Sequence, residues 1–132
     1  MNKALIIFTL FLLVTGFLTG CSSADVGVDA EFGSMTQREA YELLNNGSDV
    51  ILLDVRSEEE FLGGHVEGSV LLPLPELGEF AESVLQDKSA TILVICNSGN
   101  RSQTASQELA NLGYTNVYDI GGVLTWPGVL VQ

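Results

Sequence analysis

Basic residues are scarce in this chain. Five Lys and Arg stand against 17 Asp and Glu, a net charge of −12 with the histidine neutral. So acidic a balance argues against nucleic acid as a partner and against a polybasic patch for lipid headgroups. Any anionic substrate approaches against the overall field, so its site must be locally positive. A long hydrophobic run is also missing. Ala4 to Phe17 is nearly all apolar, but a membrane span needs about 20 such residues. There is no internal repeat and no low-complexity tract, and the length suits one domain rather than two.

The N-terminus reads as a targeting segment. Lys3 gives a short positive start, the apolar run follows, and it closes on Leu18-Thr19-Gly20-Cys21, a signal-peptide layout. Those four residues resemble the lipobox of bacterial lipoproteins. The resemblance implies a signal peptide over 1–20, cleavage before Cys21 and lipid on Cys21. The expected location is the cell envelope, lipid-anchored on the outer side of the cytoplasmic membrane or in the periplasm or outer membrane. In a two-membrane envelope, Ser22 in place of Asp resembles an outer-membrane address. Two or more acyl chains hold a protein on a membrane stably, whereas one does not. A plain secretory signal and an uncleaved anchor are the alternatives. A lipidated Cys21 cannot form a disulfide, which leaves Cys96 as the free thiol. One histidine and one free thiol assemble no metal site of familiar spacing. Residues 21–34 are then a lipidated cysteine and a flexible acidic tether, and the domain proper is expected over 35–132.

Strands and helices alternate through that domain. Thr36-Gln37-Arg38-Glu39 is a capping box, with Ala40, Leu43 and Leu44 at helical spacing behind it and Asn46-Gly47 as its stop. Val50 to Val55, apolar except for Asp54, predicts a strand buried on both faces. Ser57-Glu58-Glu59-Glu60 opens a second, short helix that Gly63-Gly64 ends, its three carboxylates favourable to a helix start. Ser69 to Leu72 predicts a short strand. Glu76 to Leu85 predicts a helix with Leu77, Phe80, Ala81, Val84 and Leu85 on its inward face. Thr91 to Ile95 is the next buried strand, Ser102 to Leu112 the next helix, and Val117 to Ile120 the last strand before Gly121-Gly122. The pattern predicts an α/β fold, a parallel sheet covered on both faces. Ligands of such sheets bind at the carboxyl ends of strands. Cys96 sits at one such end, and Asp54 and Arg56 at another.

The chemistry concentrates in Cys96-Asn97-Ser98-Gly99-Asn100-Arg101-Ser102. A strand ending in cysteine, then a short polar loop and a helix start, aims backbone N–H groups and the helix N-terminus at the sulfur and favours its anionic form. Gly99 suits a tight curve. Arg101 is a cation at a helix N-terminus, an unfavourable place unless an anion lies nearby. Asp54 and Arg56 read as structural, tying their strand end to the next helix through Glu60. His65 beside Gly64 reads as a hydrogen-bonded turn histidine, and Trp126 as packing.

These pieces resemble, in order, a single-domain rhodanese over about residues 35–132. Leu53-Asp54-Val55-Arg56 with Glu60-Phe61, Gly64-His65-Val66-Glu67-Gly68-Ser69, the Cys96–Ser102 loop, and Gly121-Gly122 with Trp126 each match a stretch of that family. The closing segment, Pro127 to Gln132, is brief and leaves the family's last helix in doubt. The resemblance implies a three-layer rhodanese-like fold with a central parallel sheet and helices on both faces. It implies sulfurtransferase chemistry with Cys96 as nucleophile and no cofactor. Thiosulfate or a persulfide would be the donor, and cyanide, a thiol or a protein the acceptor. Asn97, Ser98, Gly99, Asn100 and Ser102 would bind substrate, with Arg101 the partner of an anionic leaving group. Two alternatives stand beside it. One is a persulfide carrier or thiol-binding module acting with a protein partner, which the acidic surface and the single loop cation favour. The other is a cysteine phosphatase or arsenate reductase. Four residues separate Cys96 from Arg101, and phosphatases carry one more there, so the loop length speaks against it.

Overall fold

The computed structural model describes residues 30–132. The expected signal peptide and the lipid site at Cys21 lie outside them. Seven strands and four α-helices follow in chain order: β1 Gly33–Ser34, α1 Gln37–Asn45, β2 Val50–Asp54, α2 Glu58–Leu62, β3 His65–Val66, β4 Val70–Leu71, α3 Leu77–Val84, β5 Thr91–Cys96, α4 Asn100–Asn111, β6 Asn116–Gly122 and β7 Leu130–Val131. Five strands form one sheet in the order β1-β6-β5-β2-β4, with every neighbouring pair parallel. β3 and β7 make a small antiparallel ribbon beside it.

Alternation along the central strands sorts side chains into two cores. Leu53, Val55, Ile92, Val94 and Cys96 point to one face, where Leu77, Ala81 and Leu85 of the α3 segment and Ala105 and Leu109 of α4 cover them. Leu52, Leu93 and Ile95 point to the other, against Ala40 of α1 with Ile120 and Val123. These are the helix–sheet–helix layers the apolar strands predict. Each fully buried Leu or Ile contributes about 1.5–3 kcal/mol.

Both helix starts follow their local signals. Thr36 and Ser57 each cap with the side-chain oxygen toward the third residue, and Glu39 and Glu60 reach back to the cap N–H groups. Other expectations need correction. The tether does not run to residue 34: Gly33–Ser34 pair with Tyr118 and Asp119 of β6, and Phe32 packs on the core. Phe80 and Val84 do not face inward. They are 43 % and 42 % exposed, because the buried contact is the single stripe Leu77, Ala81 and Leu85 at four-residue spacing, and they lie beside it. α4 starts at Asn100 rather than Ser102, β6 runs on through Gly121-Gly122, and the closing segment forms β7 in place of a helix.

Candidate active site

β5 carries Cys96 to the carboxyl edge of the sheet, where the chain turns through Asn97, Ser98 and Gly99 into α4. Gly99 caps that helix with φ +109°, a left-handed conformation that glycine adopts without steric penalty. The turn brings the Gly99 N–H to 3.0 Å from the Cys96 sulfur, which accepts its hydrogen bond. Burial pushes the Cys96 thiol up. The Ser102 hydroxyl and the backbone N–H groups of Ser102, Gly99 and Ser98 outweigh it, and the thiol lies below its ordinary value. The anion is therefore easier to form at this sulfur than at an ordinary cysteine. Its access is narrower than the sequence suggests, for Cys96 is only 1 % exposed.

The end of β6 forms the floor of the loop. A Cβ added at Gly122 would lie 2.0 Å from the Asn97 carbonyl oxygen and 2.6 Å from the Ser98 Cα, and one at Gly99 would meet Gly121 Cα at 3.6 Å. The Leu124 N–H donates to the Asn97 carbonyl, and the Gln37 amide donates to the Gly122 carbonyl at 2.6 Å. The glycine pair thus leaves the room in which the loop lies. Asn97, Ser98 and Asn100 line its outer side, and Ser102 is fully buried beneath it.

Arg101 is not a free cation. Its guanidinium makes two 2.7 Å hydrogen bonds to both carboxylate oxygens of Glu60 on α2, 41 residues away. Glu60 is thereby lowered to about 2, chiefly by Arg101 against the opposing cost of burial. Arg101 is raised, first by Glu60, and Cys96 and Asp54 add to it through space. Glu60 therefore does not tie Asp54 and Arg56 to α2. Those two close on each other: Arg56 Nε donates to both Asp54 oxygens at 3.0 Å, and its Nη2 reaches Asp54 at 2.7 Å and the Gly64 carbonyl at 2.8 Å. The pair is buried and braces the end of β2 beside the loop. His65 is engaged by Phe61. Its ring stacks on Phe61 with centroids 3.8 Å apart, and Nδ1 lies 3.0 Å from the Phe61 carbonyl, to which it must donate. Trp126 packs edge-on against Tyr41. Among the described residues, no group of three His, Cys, Asp or Glu is arranged to hold a metal ion.

One residue escapes a reading of the sequence. Asp119 on β6 accepts the Ser102 hydroxyl at 2.6 Å and the Gly121 N–H at 3.0 Å. Its only sequence signal is a carboxylate inside an otherwise apolar last strand.

Comparison with known proteins agrees with this geometry. The rhodanese-like domain family matches residues 36–127. Thiosulfate sulfurtransferase PspE of Escherichia coli K12 is 38 % identical over 71 residues, 54 % of this chain and 68 % of that protein. Thiosulfate sulfurtransferase GlpE of Ectopseudomonas mendocina is 35 % identical over 98 residues, 74 % of this chain and 86 % of that protein. A solved rhodanese with anions from E. coli superposes with a TM-score of 0.59 at 34 % identity, covering 62 % of this chain and 96 % of its own. With a five-stranded parallel sheet between helices, a thiol-bearing loop at its carboxyl edge and these relatives, the chain belongs to the rhodanese-like domain family.

Proposed function

We propose that this protein is a sulfurtransferase working through a Cys96 persulfide. The Cys96 thiolate attacks the outer sulfur of thiosulfate or another sulfane donor. The donor's S–S bond breaks, and sulfite or a thiolate leaves with the electron pair. An acceptor, cyanide or a thiolate, then attacks the outer sulfur of the persulfide and Cys96 leaves as thiolate, so one difficult transfer becomes two easier ones. The observation that carries this reading is the amide cup around a thiol held below its ordinary value, because the same donors stabilise the anionic resting, persulfide and leaving states. Four intervening residues before Arg101 support sulfur over the larger phosphoryl or arsenate group.

A second reading has its own support. Cys96 is nearly buried and its loop cation is engaged by Glu60, which suits a persulfide carrier that opens to a protein partner and turns over thiosulfate poorly. Intact-mass measurement after exposure to thiosulfate, with thiocyanate release on adding cyanide, tests both. Enzyme and carrier each gain the mass of one sulfur, lost in Cys96→Ser, and only the enzyme releases thiocyanate catalytically. No adduct on the parent protein overturns both. We also propose that Cys21 carries lipid and holds the domain at the cell envelope. Membrane fractionation of the parent and of Cys21→Ser tests that, with release of the variant as the expected result.

A further inference from the structure

Gly122 is the register partner of Cys96 across β5 and β6. Two steps along β5, from Val94 to Cys96, are matched by three along β6, from Asp119 to Gly122, so β6 bulges just before that partner. A bulge bends its strand and interrupts the ladder, which leaves backbone groups to find other partners. Side chains supply them here. Asp119 Oδ1 accepts the Gly121 N–H at 3.0 Å, where φ is +84°. On the far side of the bulge the Gly122 carbonyl accepts the Gln37 amide at 2.6 Å, with the Thr125 hydroxyl more distant at 3.4 Å. A Cβ added at Gly121 would stand 3.6 Å from the same Gln37 nitrogen, so that amide lies against both glycines.

The orientation of the Gln37 amide follows from what it meets. A carbonyl only accepts, so the NH2 end faces Gly122. The other end, Oε1, is buried and has no donor among the described residues. A buried acceptor left unpaired costs free energy, and an apolar side chain of the same size carries no such cost. Packing alone therefore does not account for glutamine at this place, whereas the bond to Gly122 does. α1 holds the residue firmly, with Thr36 capping its first turn and Ala40 fully buried in the second core.

We infer that Gln37 is a positioning residue for Cys96, holding the glycine floor against which the cysteine loop is shaped. The relay is a chain of close contacts. Gln37 fixes the Gly122 carbonyl. Gly122 lies against Asn97 and Ser98 with no room for a methyl group. The turn through those two residues sets the Gly99 N–H at 3.0 Å from the sulfur. Gln37 is uncharged, so it alters the thiol through this geometry and not through a field of its own. With its donor removed, the Gly122 carbonyl keeps only the long Thr125 bond, the bulge relaxes and the Gly99 N–H drifts from the sulfur. A thiolate that loses an amide donor is less favoured. The consequence for turnover rests on the sulfur-transfer reading, in which the thiolate is the nucleophile.

The thiol itself reports the effect, whether or not sulfur is transferred. In a Cys21→Ser background Cys96 is the sole cysteine, and its ionisation is read from the pH dependence of iodoacetamide alkylation, beside urea denaturation. Gln37→Met keeps the length and removes the donor and the unpaired acceptor together. Its alkylation midpoint is expected to rise by about half a unit, about a threefold loss of thiolate at lower pH. Leu44→Ala loosens α1 from the second core without touching the floor. It is expected to lower the urea midpoint further than Gln37→Met does and to leave the alkylation midpoint in place. An unmoved alkylation midpoint in Gln37→Met would overturn the inference. So would equal rises in the two variants, which would reduce the effect to general loosening of the helix. Gln37→Ala supplies the same comparison if the Met variant does not fold. A raised midpoint in a protein that forms no sulfur adduct with thiosulfate would sustain the role of Gln37 and defeat only the transfer reading.

Discussion

Gly122 shows how one missing methyl group can decide whether a site exists. Its φ of −124° is ordinary, so a side chain there meets no backbone strain. The obstacle is space, since an added Cβ would fall 2.0 Å from the Asn97 carbonyl oxygen and 2.6 Å from Ser98 Cα. Both are backbone atoms and cannot rotate away. Gly122→Ala must push the loop off its floor, at a cost of about 1–3 kcal/mol. The displaced amides then lose the sulfur, so the Cys96 thiol rises toward its ordinary value and alkylation at neutral pH slows. Gly99→Ala reaches the same end differently. Its Cβ finds room at 3.6 Å from Gly121 Cα, but φ +109° strains any side chain, also by about 1–3 kcal/mol. Chemical denaturation and thiol titration of the two variants separate the causes. Gly122→Ala is expected to lose the low thiol pKa, whereas Gly99→Ala, if its loop stays closed, loses stability first.

The contact between α2 and α4 sets the electrostatics of the loop. Glu60 serves twice, as the third residue of its own capping box and as the bidentate partner of Arg101. Both side chains remain about one-third exposed, so the pair is worth no more than about 1 kcal/mol to stability. Its pH window follows from Glu60 being lowered from 4.5 to about 2. The contribution is complete above pH 4.5 and fades as pH falls toward 2, so the stability gap between the parent protein and Glu60→Gln is expected to close over that interval in denaturation curves. The larger effect is on substrate. Glu60→Gln frees the Arg101 guanidinium, and KM for dianionic thiosulfate is expected to fall several-fold while that for an uncharged sulfane donor is unchanged. Equal changes for both donors would show that Glu60 only holds the loop in place. The pair also marks what a sequence can reveal. The capping boxes at Thr36 and Ser57, the buried strands β2 and β5 and the cysteine loop are local patterns, and each is readable from residues a few positions apart. The partner of Glu60 lies 41 residues on, Asp119 meets Ser102 from another strand, and β1, β3 and β7 are two residues long with no period to detect. These exist only because the sheet brings distant segments together. The amphipathic pattern of α3 misled for the opposite reason. Periodicity names a face, but the width of the neighbouring sheet decides how much of it is covered, and Phe80 and Val84 fall outside.

Charge acts over the entire domain as well as at the loop. The chain carries −12, and of the basic side chains in the described residues Arg56, Lys88 and Arg101 are each paired with a carboxylate. A dianionic donor would therefore meet repulsion on its way in, and a loop cation already engaged by Glu60 when it arrives. Repulsion of this kind is screened over a Debye length, about 30 Å at 0.01 M salt and about 8 Å at 0.15 M. The kcat/KM for thiosulfate is accordingly expected to rise as salt is raised through that range, with kcat nearly constant, since encounter is eased and the chemistry at the buried sulfur is not. The same titration with a neutral donor is expected to be flat. Were thiosulfate turnover instead to fall with added salt, attraction rather than repulsion would govern its approach. A cationic route to Cys96 would then have to operate despite the Glu60–Arg101 pair, and the carrier reading would lose the electrostatic support that now favours it.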